Sequence, residues 1–403
     1  MSTITDALLL TKTAKWLKEI YLDAFNNQAG ITPSALLAAI DKMPLEGETI
    51  VSAAPVGISG GFGFSEEGEE TPSAGNQNYE RFTINPVDMY TNLNISVKAA
   101  RLTNNANAFI NAVDSEVRAA YKACEWNTGR ALFGNGSGKL ANVTAAASSG
   151  ATTIKVDSIK YLKEGLTIDF FESGATTVSQ KTARARIKAI NRTANSGSYT
   201  VTLETGLSAA IAKDGFITCQ NSLNRELTGL GALFDTSITT IQGVDRTAQP
   251  LLTPKTVSAN NDISDTIITR AIRDVENEKG AEIDMILCGS DAYDHYVTYL
   301  RESNIRVEDK TGELAGGFKT IKLIFGNRVV NIVYDQFMPD TEMWGVETDS
   351  IKFHTSGWDF CTDNGAPKFQ LLENHSIYRA LLACYGNLVY SKPGGAVRIT
   401  DCA

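Results

Sequence analysis

Histidine is scarce, at three in 403 residues, so general bases poised near neutral pH and imidazole metal ligands are in short supply. His295, His354 and His375 stand far apart, with no H-x-x-x-H or H-E-x-x-H spacing. The six cysteines (Cys124, Cys219, Cys288, Cys361, Cys384, Cys402) form no C-x-x-C. That excludes a zinc-ribbon pattern and reads as free thiols in a reducing compartment, not a disulfide framework. No apolar run approaches the ~18 residues of a membrane-spanning helix, and "ALLL" near the N-terminus is too short for a signal-peptide core. A basic excess is missing too: the net charge is −9 and the pI near 5.1, which argues against a dedicated nucleic-acid binder. No 20–50-residue period repeats, so the chain is no solenoid.

What remains is an ordinary globular composition, 43% hydrophobic and 21% charged, long enough for two or three modules with their own cores. Residues 5–42 carry helical spacing, with Leu9, Ala14, Leu17, Ile20 and Phe25 in a first segment. A second helix is expected over "TPSALLAAIDKM", with Thr32 as its cap and Pro33 in its first turn. The stretch from Glu46 to Glu80 holds seven glutamates and no lysine or arginine, and centres on "GISGGFGFSEEGEETPSAG". It is no phosphate loop: its glycines complete neither G-x-G-x-x-G nor a P-loop, and Glu66, Glu67, Glu69 and Glu70 would repel phosphate. Its return, "ERFTINPVDMYTNLNISVKAA", alternates like a strand.

A long helix is expected next, from Ala106 to Leu132, about 40 Å at ~1.5 Å per residue. Phe109, Val113, Val117, Ala120, Cys124 and Leu132 form its apolar stripe, and Asp114 and Arg118 an i,i+4 pair. "GNGSGK" after it imitates a phosphate loop but lacks its spacing and its Ser/Thr, and reads as a helix terminator. From about 141 to 225, "TTIKV", "LTIDFF", "RARIKAI" and "YTVTLET" alternate as strands of a small antiparallel module. Lys181, Arg184, Arg186, Lys188 and Arg192 give that module a basic stripe. A solvated strand face is its plain explanation, since no aromatics interleave for stacking on single-stranded nucleic acid. From 262 onward the pattern is α/β: a helix in "DISDTIITRAIRDVENEKGA", a buried strand in "DMILCG", a helix capped by Ser290, and a hairpin turning at Gly326-Asn327.

Chemistry is hard to assemble from these parts. Cys288 sits at a strand-to-helix junction, and Asp291 and His295 share a helix face, but His295 lies too far into the helix to serve the thiol. Asp359 and Asp363 flank a turn without marking a paired acid and base. Catalysis, cofactors and metals are not expected.

The order of parts resembles the major capsid proteins of tailed bacteriophages, the Hong Kong ninety-seven-type fold. The stretch "EETPSAGNQNYERFTINPVDMYTNLNISVKAA" is similar to the descending leg of that family's E-loop, and "FINAVDSEVRAAYKACEWNTGRALFGNGSG" to its spine helix. "LTGLGALFD", "DMILCGSDAYDHYVTYL" and the C-terminal runs through "KFQLLENHSIYRALLACYGNLVYSKPGGAVRI" resemble its A-domain and returning strands. The resemblance implies an α+β fold. Its expected parts are an N-terminal arm (1–45), an extended E-loop hairpin with return strand (46–100) and a P-domain spine helix (101–139). An inserted β-rich domain (140–225), an α/β A-domain (226–340) and C-terminal strands returning through P- and A-domains (341–403) follow.

The resemblance further implies self-assembly into hexamers and pentamers of an icosahedral head around double-stranded DNA, put together in a bacterial cytoplasm. Scaffolding protein, portal and decoration protein are the partners expected with it, and no membrane. An arm from Glu48 to Glu80 would reach about 50 Å at ~3.3 Å per residue per leg. Phe62 and Phe64 would anchor it on the neighbouring subunit. Its Glu66, Glu67, Glu69 and Glu70 would meet basic groups there, with Arg184 and Arg186 as candidates. The family's best-known member cross-links its shell through an arm lysine and an asparagine; no lysine lies between Lys42 and Lys98 here, so that chemistry is not expected from this arm. The segment before the arm, some 45 residues, is too short for a large cleavable internal scaffold, which points to a separate scaffold or to the insertion in its place. The rivals are an encapsulin-like nanocompartment shell, a cysteine-dependent α/β enzyme built on Cys288, and a β-rich adhesin.

Overall fold

Two units make up the chain, residues 1–129 with 236–403, and residues 130–235. The computed structural model describes residues 34–57, 60–96, 106–195, 197–302, 321–361, 370–372 and 375–402, with the backbone course alone at 54–55, 95–96, 106–119 and 195. The expected first helix with Leu9 to Phe25, Thr32, Pro33 and Asp363 lies outside the described residues, as do the side chains of Phe109, Val113, Asp114, Val117 and Arg118.

In the 130–235 unit, alternation marks the start of the longest strand. Ala183, Ala185 and Ile187 are buried while Arg186 and Lys188 between and after them are exposed, the period-2 signature of a half-buried strand. Six antiparallel strands pair in the order Lys139–Asn142, Phe216–Cys219, Thr167–Phe171, Ala183–Asn195, Ser198–Leu203, Thr153–Val156. The first and last strands then meet: Val143 bridges Val156, and the Thr144 amide donates to the Lys155 carbonyl at 3.0 Å. The sheet therefore closes into a small barrel, which removes its edges. Ile168, Phe170, Val201, Leu203 and Ile217 fill the interior.

The unit's two ends are fastened as well. Arg130 donates two hydrogen bonds to Glu226, at 2.8 and 2.6 Å, with side chains only 6% and 9% exposed. Asn135 donates to Asp235 at 2.8 Å. Gly229 lies so close to the Ala131 and Leu132 carbonyls that a Cβ would collide with backbone, which fixes glycine there.

The other unit holds a six-stranded mixed sheet in the order Lys255–Ser258, Val397–Thr400, Met343–Val346, Met285–Cys288, Arg328–Tyr334, Ile321–Phe325. The helices Asp265–Lys279 and Ser290–Glu302 cover one face of it. Ile268, Ile272 and Val275 from one helix, and Tyr296 and Leu300 from the other, share a core with Ile286, Cys288, Val330 and Ile332. Gly280, at φ +62°, ends the first helix in the left-handed region. Ser290 is not the cap expected of it: it begins the second helix, and its hydroxyl donates to Asp340 at 2.9 Å.

A second sheet is organised by the long strand Ile377–Tyr390, which pairs antiparallel with Val87–Ser96 over ten residues and with Ile351–Thr355. The helix Ala106–Phe133 runs 28 residues, about 42 Å at ~1.5 Å per residue. Cys124 on it lies 2.8 Å from the Thr91 hydroxyl of the Val87–Ser96 strand, and Gly129 sits against the Phe337 ring, where a Cβ would fall 2.7 Å from it. The expected helix over "TPSALLAAIDKM" is cut short: only Ala35–Ala39 is helical among its described residues, and Asp41–Pro44 forms a strand parallel to Ile351–Thr355. The sheet partner, distant in sequence, overrides the local helical pattern.

Candidate functional site

The glycine-rich, acidic arm rises from a two-stranded base. Ile50–Val56 pairs antiparallel with Asn78–Ile84, from Ile50 opposite Ile84 to Val56 opposite Asn78. One face of this base is held down. Phe82 packs in a cluster with Val244 and Leu252, and Ile50 and Ile84 pack with Val389. The Thr83 amide donates to the Gln242 carbonyl at 2.8 Å, and Gln249 donates to the Glu80 carboxylate at 2.8 Å. The opposite face is open, with Val51 and Tyr79 exposed.

Beyond Val56 the ladder stops. The two legs approach again at Gly61 and Gly75, where a Cβ on Gly61 would lie 2.7 Å from the Gly75 nitrogen, so the narrow neck requires glycine. The tip carries Phe62 and Phe64, 81% and 93% exposed, stacked edge-to-face at 5.2 Å. Glu66 to Glu69 form a β-turn closed by the Glu69 amide on the Glu66 carbonyl at 3.1 Å, with Gly68 at φ +93° in its third position. Glu66, Glu67, Glu69 and Glu70 are all exposed, and none joins an ion pair among the described residues. Two rings are thus left in water beside four carboxylates that join no ion pair among the described residues, and burying both rings would contribute about 3–6 kcal/mol.

The two candidate basic partners differ. Arg184 is engaged inside its own barrel. It donates to both oxygens of the fully buried Asp169 at 2.5 and 2.8 Å and to Asn221 at 2.6 Å, and Asp169 also accepts the Asn221 amide at 2.8 Å. The Asp169 hydrogen bond holds the guanidinium above its ordinary value. Arg186 is 58% exposed, donates to the Gly165 carbonyl at 3.0 Å and lies 3.8 Å from Glu204. Lys188, next along this outward face, is exposed and has no ion pair among the described residues. Arg192 is bound by Glu164 at 2.8 Å. Residues 130–235 carry 12 lysines and arginines against 8 aspartates and glutamates, a net +4. The whole chain is −9, which leaves −13 on the remainder.

The thiol candidate lacks the surroundings of a nucleophile. Cys288 is 0% exposed, and burial pushes its thiol well above the usual value, whereas reactive cysteines lie in accessible sites that lower it. His295 is exposed on the following helix. Among the described residues no group of three or more His, Cys, Asp or Glu side chains could hold a metal ion, and no helix is long and apolar enough to cross a membrane. Sequence reasoning passed over two buried polar anchors. One is the Arg130–Glu226 pair. The other is Asp335, which accepts hydrogen bonds from the Ser34 hydroxyl at 2.8 Å and the Ala35 and Phe337 amides at 2.7 and 3.0 Å. Neither leaves a local pattern, because the partners lie 96 and 301 positions apart.

Comparison with known proteins points the same way as this architecture. Residues 183–368 match the family model of the SU10 major capsid protein. The capsid asymmetric unit of cyanophage A-1(L) is similar in structure, with a TM-score of 0.55 at 11% identity, covering 93% of this chain and 94% of that one. The capsid of a native GTA particle (TM-score 0.45, 10% identity, 92% and 90% covered) and a structure from Mycobacterium phage Bobi (0.43, 10%, 93% and 93%) are similar at lower scores. No curated protein matches the chain. The family match spans barrel strands and much of the α/β sheet, and the phage-capsid fold is shared along nearly the whole length of the chain.

Proposed function

We propose that this subunit tiles an icosahedral head as hexamers and pentamers around double-stranded DNA, and that its arm, residues 46–80, is laid on a neighbouring copy. The observation that carries this reading is the arm tip: Phe62 and Phe64 are almost wholly exposed beside four carboxylates with no ion pair among the described residues. Permanent assemblies bury such apolar groups at subunit contacts. The glycine neck lets the tip change angle while the base stays anchored, which suits one tile in differently curved positions.

In this reading residues 1–45 form an N-terminal arm, 46–100 the E-loop and its return, and 101–139 the spine helix of a P-domain. Residues 140–225 are an insertion, 226–340 an A-domain, and 341–403 the returning strands. Assembly takes place in the host cytoplasm with a portal and with a separate scaffolding protein or the insertion in its place. DNA is contained without being gripped, in keeping with the −9 charge.

Negative-stain electron microscopy with light scattering tests this on the protein expressed alone and with any co-encoded scaffold. Closed megadalton shells are expected in one of the two. A small stable monomer in both would overturn the assembly reading. Replacing Phe62 and Phe64 by serine should abolish shells while leaving the subunit folded; shells formed at full yield would remove the arm from the contact.

A further inference from the structure

The arm's charge has to be answered somewhere, and the barrel is where this chain concentrates the opposite sign. We propose that the outward face of the strand Ala183–Asn195, at Arg186 and Lys188, is the docking surface for the acidic arm tip of a second copy of this chain. The proposal rests on the shell-building reading above and adds the identity of the receiving surface.

Three observations support it. Charge is partitioned by unit, +4 on residues 130–235 and −13 on the remainder. The barrel is thus the unit toward which an acidic segment of another copy is drawn, and the field acts over about 8 Å at physiological salt. Within the stripe, side-chain pairing selects the residues. Arg184 is saturated by Asp169 and Asn221, and Arg192 by Glu164. Lys188 has no ion pair among the described residues, and Arg186, which gives one hydrogen bond to the Gly165 carbonyl, has only the loose 3.8 Å ionic contact with Glu204.

Spacing matches as well. Residues 186 and 188 are two apart on a strand, at most about 7 Å at ~3.3 Å per residue, with Lys188 at a bulge in the pairing with Ser198–Leu203. The ends of a β-turn, here Glu66 and Glu69, lie within about 7 Å. Two carboxylates on a turn can therefore face two cations on a strand without rearrangement. The barrel's closure fits the same reading: with no free edge to extend by backbone pairing, it can engage a partner only through outward side chains.

The experiment is a charge swap in the full-length chain, read by shell yield in electron microscopy and light scattering. Arg186→Glu with Lys188→Glu should lose closed shells, and Glu66→Lys with Glu69→Lys should lose them too. Combining all four should restore them. Arg186→Gln with Lys188→Gln controls for folding of the barrel, and should weaken assembly in a salt-dependent way without unfolding the subunit.

Wild-type yield from the Arg186/Lys188 reversal, with loss from the arm reversal, would overturn this docking while leaving the shell reading intact. So would failure of the four-fold swap to rescue. Intact shells that no longer retain double-stranded DNA would assign the basic face to nucleic acid and overturn it likewise. No shells from the unaltered protein would instead defeat the shell reading itself.

Discussion

Removing Glu226 should loosen the barrel far more than removing any surface charge. Arg130 is 5% exposed, and its guanidinium is held by both Glu226 oxygens, with the Cys219 sulfur 3.7 Å away and its Nε without a partner. Burial opposes the charge on Arg130, but the facing carboxylate outweighs that and holds the group above its ordinary value. Glu226→Ala leaves this cation buried and uncompensated, a change that costs about 3–5 kcal/mol. At ~1.4 kcal/mol per tenfold, opening of the barrel should become about two to three and a half orders of magnitude more frequent. Amide hydrogen exchange reads it directly on Thr167–Phe171 and Phe216–Cys219, whose backbones are paired across the barrel. Arg130→Met combined with Glu226→Leu removes both charges together and should return exchange to near the unaltered rate, since a buried pair replaced by apolar groups is often neutral or stabilising. Less than a tenfold change for Glu226→Ala, or a double variant no better than the single one, would refute the idea that the pair clamps the module's two ends.

Other perturbations separate the remaining contributions. Phe170→Ala, at a fully buried barrel position, should destabilise by about 3–5 kcal/mol in urea unfolding of the unassembled subunit; a shift below about 1 kcal/mol would mean the interior is not packed as described. A thiol reagent should modify one cysteine per folded chain, Cys361, the single exposed one of six, and rapid labelling of Cys288 would reopen the enzyme rival. Asp335 supplies a pH test. Burial raises its carboxyl above the ordinary value despite its hydrogen bonds, so the folded chain binds that proton more tightly than the unfolded chain. Its contribution is therefore fully present below about pH 3.9 and lost as pH rises through the folded value. The stability of the unaltered subunit relative to Asp335→Asn should grow on acidification from pH 7, and a constant difference would contradict the assignment.

Where chemistry is local, the amino-acid order was readable. The 28-residue helix was expected to end one residue early, at Leu132 instead of Phe133, because its spacing and the glycines after it are local signals. The barrel strands were readable for the same reason: "RARIKAI" alternates by two wherever it is placed. What escaped is what depends on partners distant in the chain. "DKMP" has no strand character of its own, and all four residues are exposed; pairing with Ile351–Thr355 alone makes it a strand. Barrel closure hangs on Val143 meeting Val156, and no periodicity announces such a bridge. At the candidate site, the arm's two rings and four glutamates stood out as composition. That Arg184 is engaged by a buried aspartate needed the cross-strand register of Asp169.

Strand edges give a physical reason for the proposed assembly through the arm. A free edge pairs with another edge without limit, and open-ended pairing makes fibres instead of closed shells. The barrel has disposed of its edges by closing. In the other unit three of the outer described strands carry edge blockers: Asp41, Lys42 and Pro44 on one, Lys255 on a second, Lys322 on a third. Charge and proline at such positions discourage backbone pairing. Along these edges contacts between copies fall to side chains. In the proposed arm contact, a tip that swings at the Gly61–Gly75 neck would let the same side chains meet the same partners at more than one angle. A stiff neck would set one angle and one curvature, so Gly75→Ala, whose Cβ would collide with the Gly60 and Gly61 backbone, should narrow the range of particle sizes or stop closure. Particles of unaltered size and yield would show that the neck does not set the angle.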